Sequence, residues 1–160
     1  MITVNELLKL YGKEFATTLK VMRAYPENRL DFKPHERSQS AARIMSTFVF
    51  EMFLIKSYVF GENLDRELFR NYAPGNLDTL IKDFEKQTSI VISKLEKISG
   101  EEFGKKVEFA GAKMTADEFL LMMLFDQIHH RGQMSVYIRL AGGKVPSVYG
   151  PSADDPTTNF

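Results

Sequence analysis

The chain of 160 residues contains no cysteine, its 21 Lys and Arg balance 21 Asp and Glu, and its longest apolar run is FLLMMLF at 119–125. Without cysteine there are no disulfides, no zinc-thiolate sites and no cysteine nucleophile, a composition that suits a reducing cytosol. Without a basic excess, and with Lys and Arg scattered rather than clustered, the electrostatic footprint of a nucleic-acid binder is missing, so DNA and RNA are not expected partners. The apolar run falls far short of the ~20 residues needed to span a bilayer. At the N-terminus, MITVNELLKLYGKEF places Glu6, Lys9, Lys13 and Glu14 among its apolar residues and lacks the uninterrupted core of a signal peptide. A cytoplasmic protein with no membrane partner is the expectation.

What is present is an ordinary globular composition, 44% hydrophobic and 26% charged. A single domain over 1–160, burying roughly 70% of its unfolded surface, accommodates that composition without a linker. Apolar residues recurring at three- and four-residue steps predict four long helices. The first runs from an N-cap at Thr3 to Ala24, before Pro26. The second starts at Ser38 or Ser40 and runs to Gly61, with Thr47 and Glu51 on its apolar stripe. The segment 63–71 reads as a short helical piece before the Pro74-Gly75 turn. A third helix runs from Asn76 or Asp78 to Gly100, and 103–113 reads as an extended excursion, a hairpin. Thr115 with Asp117 and Glu118 forms a capping signature for a fourth helix that ends at Ala141 before Gly142-Gly143. The Pro-, Ser- and Asp-rich tail reads as a loop or extended arm. The predicted fold is therefore all-α, a four-helix bundle with a long crossover connection. The fourth helix is apolar nearly all round at 119–125, which predicts either a central position or a second subunit against its outer face; a homodimer is expected.

The same helix carries the chemistry. Asp126 and His130, four residues apart, stack on one face, within a predicted core stripe of Phe119, Met122, Met123, Asp126, His130, Gln133, Met134 and Tyr137. Such a pair grips a divalent metal if other helices supply further ligands; otherwise it is a buried hydrogen-bonded pair. Gly132, costing ~1 kcal/mol in a helix relative to alanine, predicts the close approach of a neighbouring helix. His35 reads as a solvated or capping residue, and Tyr149 as a core or interface residue rather than a pocket wall.

The stretches HHRGQMSVYIRLAGGKVPSVYGPSADD, 129–155, and KPHERSQSAARIMSTFVFEMF, 33–53, resemble the DinB family of small helical proteins, the first its C-terminal signature and the second the start of its second helix. The resemblance implies a DinB/YfiT-like bundle, commonly a homodimer. It also implies a zinc or nickel ion held by three histidines, in some relatives activating a low-molecular-weight thiol. Carried over residue by residue, the last ligand falls on His130, the preceding one on Asp126, and the second-helix ligand on Thr47, or on Ser46 if the register slips. Two of the three histidines are replaced. Glu51, one turn after Thr47, offers a substitute, giving a carboxylate-rich set of Glu51, Asp126 and His130 suited to manganese, iron or zinc; the alternative pairs Glu51 with His130 or Arg131.

Two classes of function follow. One is a bundle without conventional metal catalysis, in which Thr47, Gln133 and Tyr137 beside Asp126 and His130 line a small-molecule pocket or a polar network. The other is a divalent-metal-dependent thiol transferase or hydrolase-like enzyme that uses Glu51, Asp126 and His130 as ligands.

Overall fold

In a computed structural model, which describes residues 2–65, 67, 71, 72 and 74–156, each long helix begins where a side chain replaces a missing backbone partner. Helix α1 (Val4–Arg23) is closed by a capping box, the Glu6 carboxylate accepting from the Thr3 amide at 2.8 Å. Ser40 accepts from the Arg43 amide at 3.2 Å to start α2 (Ala41–Phe60), which Gly61 ends at φ +72°. Asn76 accepts from the Thr79 amide at 2.8 Å to start α3 (Leu77–Leu95). A one-turn helix α4 (Gly100–Gly104) and a hairpin of β1 (Lys106–Phe109) and β2 (Ala112–Thr115) lead into α5 (Ala116–Leu140). At its start Thr115 and Glu118 form the predicted capping box, the Glu118 carboxylate accepting from the Thr115 amide at 2.8 Å, and the Thr115 hydroxyl also donates to Asp117. Of the short helical piece expected at 63–71, residues 66 and 68–70 lie outside the described residues.

Helices α1 and α2 each pack on both α3 and α5, which puts α1 across the bundle from α2 and α3 across from α5. Chain neighbours on opposite corners require long connections, and 24–40 and 96–115 supply them. The expected third helix stops at Leu95 rather than Gly100, and the excursion after it is the predicted hairpin, turning at Ala110 (φ +50°) and Gly111 (φ +81°). Two consecutive positive φ values match the right-handed twist of the flanking strands, and glycine takes the second without a Cβ penalty. The hairpin is anchored by Phe109, whose ring meets Tyr58 of α2 at 5.2 Å and Phe119 of α5 at 5.4 Å. A second aromatic set, Tyr11, Phe15, Phe84 and Phe48, joins α1, α3 and α2 at the centre.

The register of α5 differs from the expected stripe. Its buried residues include Phe119, Leu120, Met123, Leu124, Gln127, Arg131, Met134, Tyr137 and Ile138, whereas Asp126 and His130 are half-buried at the edge and Gln133 is exposed. The reason lies in 119–125, which is apolar in every direction and so leaves rotation about the helix axis undetermined by hydrophobicity. Contacts decide it: α1 offers Glu14 and Thr18 to the polar face of α5 that turns inward. Gly132 faces open space, with nothing within 4 Å of where a Cβ would sit, so it is not a helix-crossing glycine within this fold. No helix among the described residues is long and apolar enough to cross a membrane.

Candidate functional site

Arg131 is 2% exposed, and its burial organises a polar chain through the bundle. Its Nη2 lies 2.5 Å from Glu14 Oε2, and its Nη1 donates to the Glu14 carbonyl at 3.1 Å and to Thr18 Oγ1 at 3.3 Å. Thr18 donates to Gln127 Oε1 at 2.9 Å, and Gln127 Nε2 donates to Glu51 Oε2 at 3.1 Å. From the tail, the Tyr149 hydroxyl donates to Glu14 Oε2 at 2.6 Å and accepts from Arg131, while its ring lies 5.1 Å from the guanidinium. Arg131 therefore pairs with Glu14 and not with Glu51, which corrects that pairing as read from sequence. Tyr149, 50% exposed, seals the ion pair from outside rather than joining the core.

Glu51 is 1% exposed, and its Oε1 has no hydrogen-bond partner. Burial pushes its carboxyl well above the usual carboxylate range; the Gln127 amide opposes that shift, and the adjacent Asp126 carboxyl reinforces it. Two carboxyl groups thus meet where α2 faces α5. Asp126 retains 45% side-chain exposure, so this meeting point opens to solvent on its side, and His130 Nε2 stands 3.6 Å from Asp126 Oδ2. The other His130 nitrogen, Nδ1, is 2.9 Å from Gln133 Oε1, and Gln133 Nε2 is 3.1 Å from His129 Nε2.

Beside His130 a cleft of about 390 Å³ opens between the start of α2 and the second half of α5, lined by Ser38, Gln39, Ile44, Gln133, Val136 and Tyr137. Tyr137 is fixed there by donating to the Gln39 carbonyl at 2.9 Å and by an edge contact with Phe32. The structure thus brings Glu51 to Asp126, Asp126 to His130, and His130 to Gln133 and Tyr137. Thr47 is not among the cleft residues; its hydroxyl donates to the Arg43 carbonyl at 3.2 Å within α2. His35 accepts from the Arg37 amide at 3.1 Å in its own turn, as a local cap.

Sequence reasoning did not single out Glu14, Thr18 and Gln127, and gave Arg131 only as an alternative partner of Glu51. Their signal is a four-residue step on each helix, 14 to 18 and 127 to 131, the same step that drew attention to Asp126 and His130.

The ion that the sequence resemblance implies needs an imidazole from each of three positions. One imidazole is present at the three positions, the Thr47 hydroxyl is turned to its own helix, and no three His, Cys, Asp or Glu side chains among the described residues come together as a metal-holding group. The residues present do not fit that ion.

Three comparisons place the chain among known proteins. A protein from Bacillus subtilis (strain 168), named as the uncharacterized protein YrdA, is 39% identical over 51 residues, 32% of this chain and 30% of that one. The matched stretch is thus under a third of that relative's length. The crystal structure of a DinB-like protein from Bacillus cereus ATCC 10987 superposes with a TM-score of 0.80 at 24% identity, covering 91% of this chain and 97% of the other. A DinB-like protein of Bacillus subtilis, YjoA, superposes at 0.66 with 19% identity over 86% and 92% of the two chains. At such identities these likenesses speak for the fold alone. The model of the DinB family matches residues 1–159, nearly the entire sequence, and with the bundle and the two signature stretches in place the chain belongs to the DinB family.

Proposed function

We propose that this DinB-family protein binds a small molecule in the cleft beside His130 and does so without the three-histidine ion, the site being rebuilt around the facing carboxyls of Glu51 and Asp126. The observation that supports this reading is Glu51, fully enclosed, oriented by Gln127 and set against Asp126, which in turn stands beside His130 of the cleft. A position released from function is readily filled by an apolar side chain, which avoids the desolvation cost of a buried carboxyl. Here a carboxyl is kept and supplied with a dedicated donor. The apolar outer face of α5, with Phe125, Val136 and Leu140 more than half exposed, supports a homodimer as the working form.

Elemental mass spectrometry on protein purified without a metal-affinity step tests this, alongside a Thr47→His, Asp126→His double variant. The expected result is substoichiometric metal in the unmodified protein and zinc or nickel uptake in the variant, with His130 as its third imidazole. Stoichiometric metal in the unmodified protein would overturn the reading in favour of a metal-dependent thiol transferase or hydrolase-like enzyme using Glu51, Asp126 and His130.

A further inference from the structure

The outward side of α5 carries a regular seam. Phe125, His129, Gly132, Val136 and Leu140 follow one another at steps of four, three, four and four residues, and all are exposed. Alternating steps of this kind bring side chains to the line along which two helices pair. Glycine in a helix costs ~1 kcal/mol relative to alanine, and within the single copy nothing comes near Gly132 to offset it. A seam with its smallest residue in the middle lets another helix come closest there.

The charges along α5 favour one partner and one direction. The helix has Asp117 and Glu118 in its first turn and Arg139 in its last, with Lys144 exposed just beyond. A second α5 laid antiparallel sets the acidic end of each copy against the basic end of the other and opposes the two helix dipoles. Parallel pairing brings like ends together.

Val136 belongs both to this seam and to the cleft, and Gln133, also exposed, stands beside it in the cleft lining. The α5 wall of the cleft is therefore open on the side that the seam presents. With the crossing at Gly132, the residue of the second helix that falls opposite Val136 is His129, three positions before the crossing against four after it.

We infer that the cleft beside His130 is completed by a second copy of this chain: the two α5 helices pack antiparallel across Gly132, and His129 of the partner subunit covers the open side at Val136. The inference rests on the homodimer and the small-molecule site proposed above and makes the first a condition of the second.

Isotope-filtered NMR on equal parts of labelled and unlabelled copies reports contacts between copies alone. Expected are contacts of the Phe125 ring with Leu140 methyls and of the Val136 methyls with the His129 ring. Contacts of Phe125 with Phe125 and of Leu140 with Leu140 would mean parallel pairing and overturn the inference. A monomer would overturn it too, leaving the seam to a different protein. Indole, an uncharged probe small enough for the cleft, is then titrated into the unmodified protein and into a Phe125→Glu, Leu140→Glu variant, whose changes lie outside the cleft lining. Its affinity, read from the amide shifts of residues 130, 133 and 137, should fall about tenfold or more in the variant as the cover is lost. Equal affinity in the two proteins would overturn the completed cleft and leave the small-molecule reading standing. Shifts at none of these residues in either protein would overturn both.

Discussion

Arg131 is among the largest side chains wholly removed from solvent, and it keeps its charge there, so its partners are obligatory. Glu14 supplies the counter-charge at 2.5 Å, and Thr18 and Tyr149 complete its shell. Breaking one side of such a pair strands a buried charge, whereas replacing both removes the need for either. Arg131→Met should therefore lower unfolding stability by ~3–5 kcal/mol in urea titrations. Glu14→Gln combined with Arg131→Met should recover much of that loss. A double variant as unstable as the single would mean that Arg131 acts through packing rather than charge. Through Thr18 of α1 the same residue sets the orientation of Gln127, and through it of Glu51, so a change at Thr18 reaches the carboxyl on α2.

At the scale of elements, the tail from Lys144 onward shows how an irregular segment is held without secondary structure. Asp154 accepts from Arg139 at 2.8 Å and from the Val145 amide at 3.0 Å, and Asp155 accepts from the Ser147 amide at 2.9 Å. The Arg139 guanidinium, followed by the Val145 amide, holds the Asp154 carboxyl below its ordinary value of 3.8. A carboxyl depressed in the folded protein favours the fastened tail above its unfolded value, and that contribution is lost as pH falls through the folded one. The Val145 amide resonance should accordingly titrate below pH 3.8, and Asp154→Asn should abolish that titration; an unchanged titration in the variant would assign it to another group. The helices, their caps and the hairpin were legible from sequence because periodicity, Thr3, Ser40, Asn76 and Gly61 all act locally. The tail's fastening was not, because it depends on Arg139 and on Lys20, whose Nζ donates to the Ser147 carbonyl at 2.9 Å, approaching from other elements. The rotation of α5 was not either: a helix apolar on all sides gives no preferred inward direction, so Gln127 and Arg131 are indistinguishable by pattern from Asp126 and His130. The site was half legible for that reason, with Glu51, Asp126 and His130 named and the chain that orients Glu51 unseen.

For the whole molecule, the inward turn of Gln127 and Arg131 has a counterpart on the outside of α5. Phe125, Val136 and Leu140 are 62%, 55% and 56% exposed, aligned on the face that also presents Gly132. Large apolar side chains exposed on one face, here with His129 between them, are costly in water and are relieved by an isologous contact. Phe125→Glu with Leu140→Glu should shift the protein from dimer to monomer in light scattering coupled to size-exclusion chromatography, with helicity by circular dichroism unchanged. A monomeric unmodified protein would remove the dimer. The open space around Gly132 has a practical corollary for a chain without any thiol of its own. Gly132→Cys would place a unique sulfur at the middle of that face, with room for its Cβ and no competing cysteine. One spin label or fluorophore per chain would then report distances between copies, and an oxidative cross-link would have a single possible address.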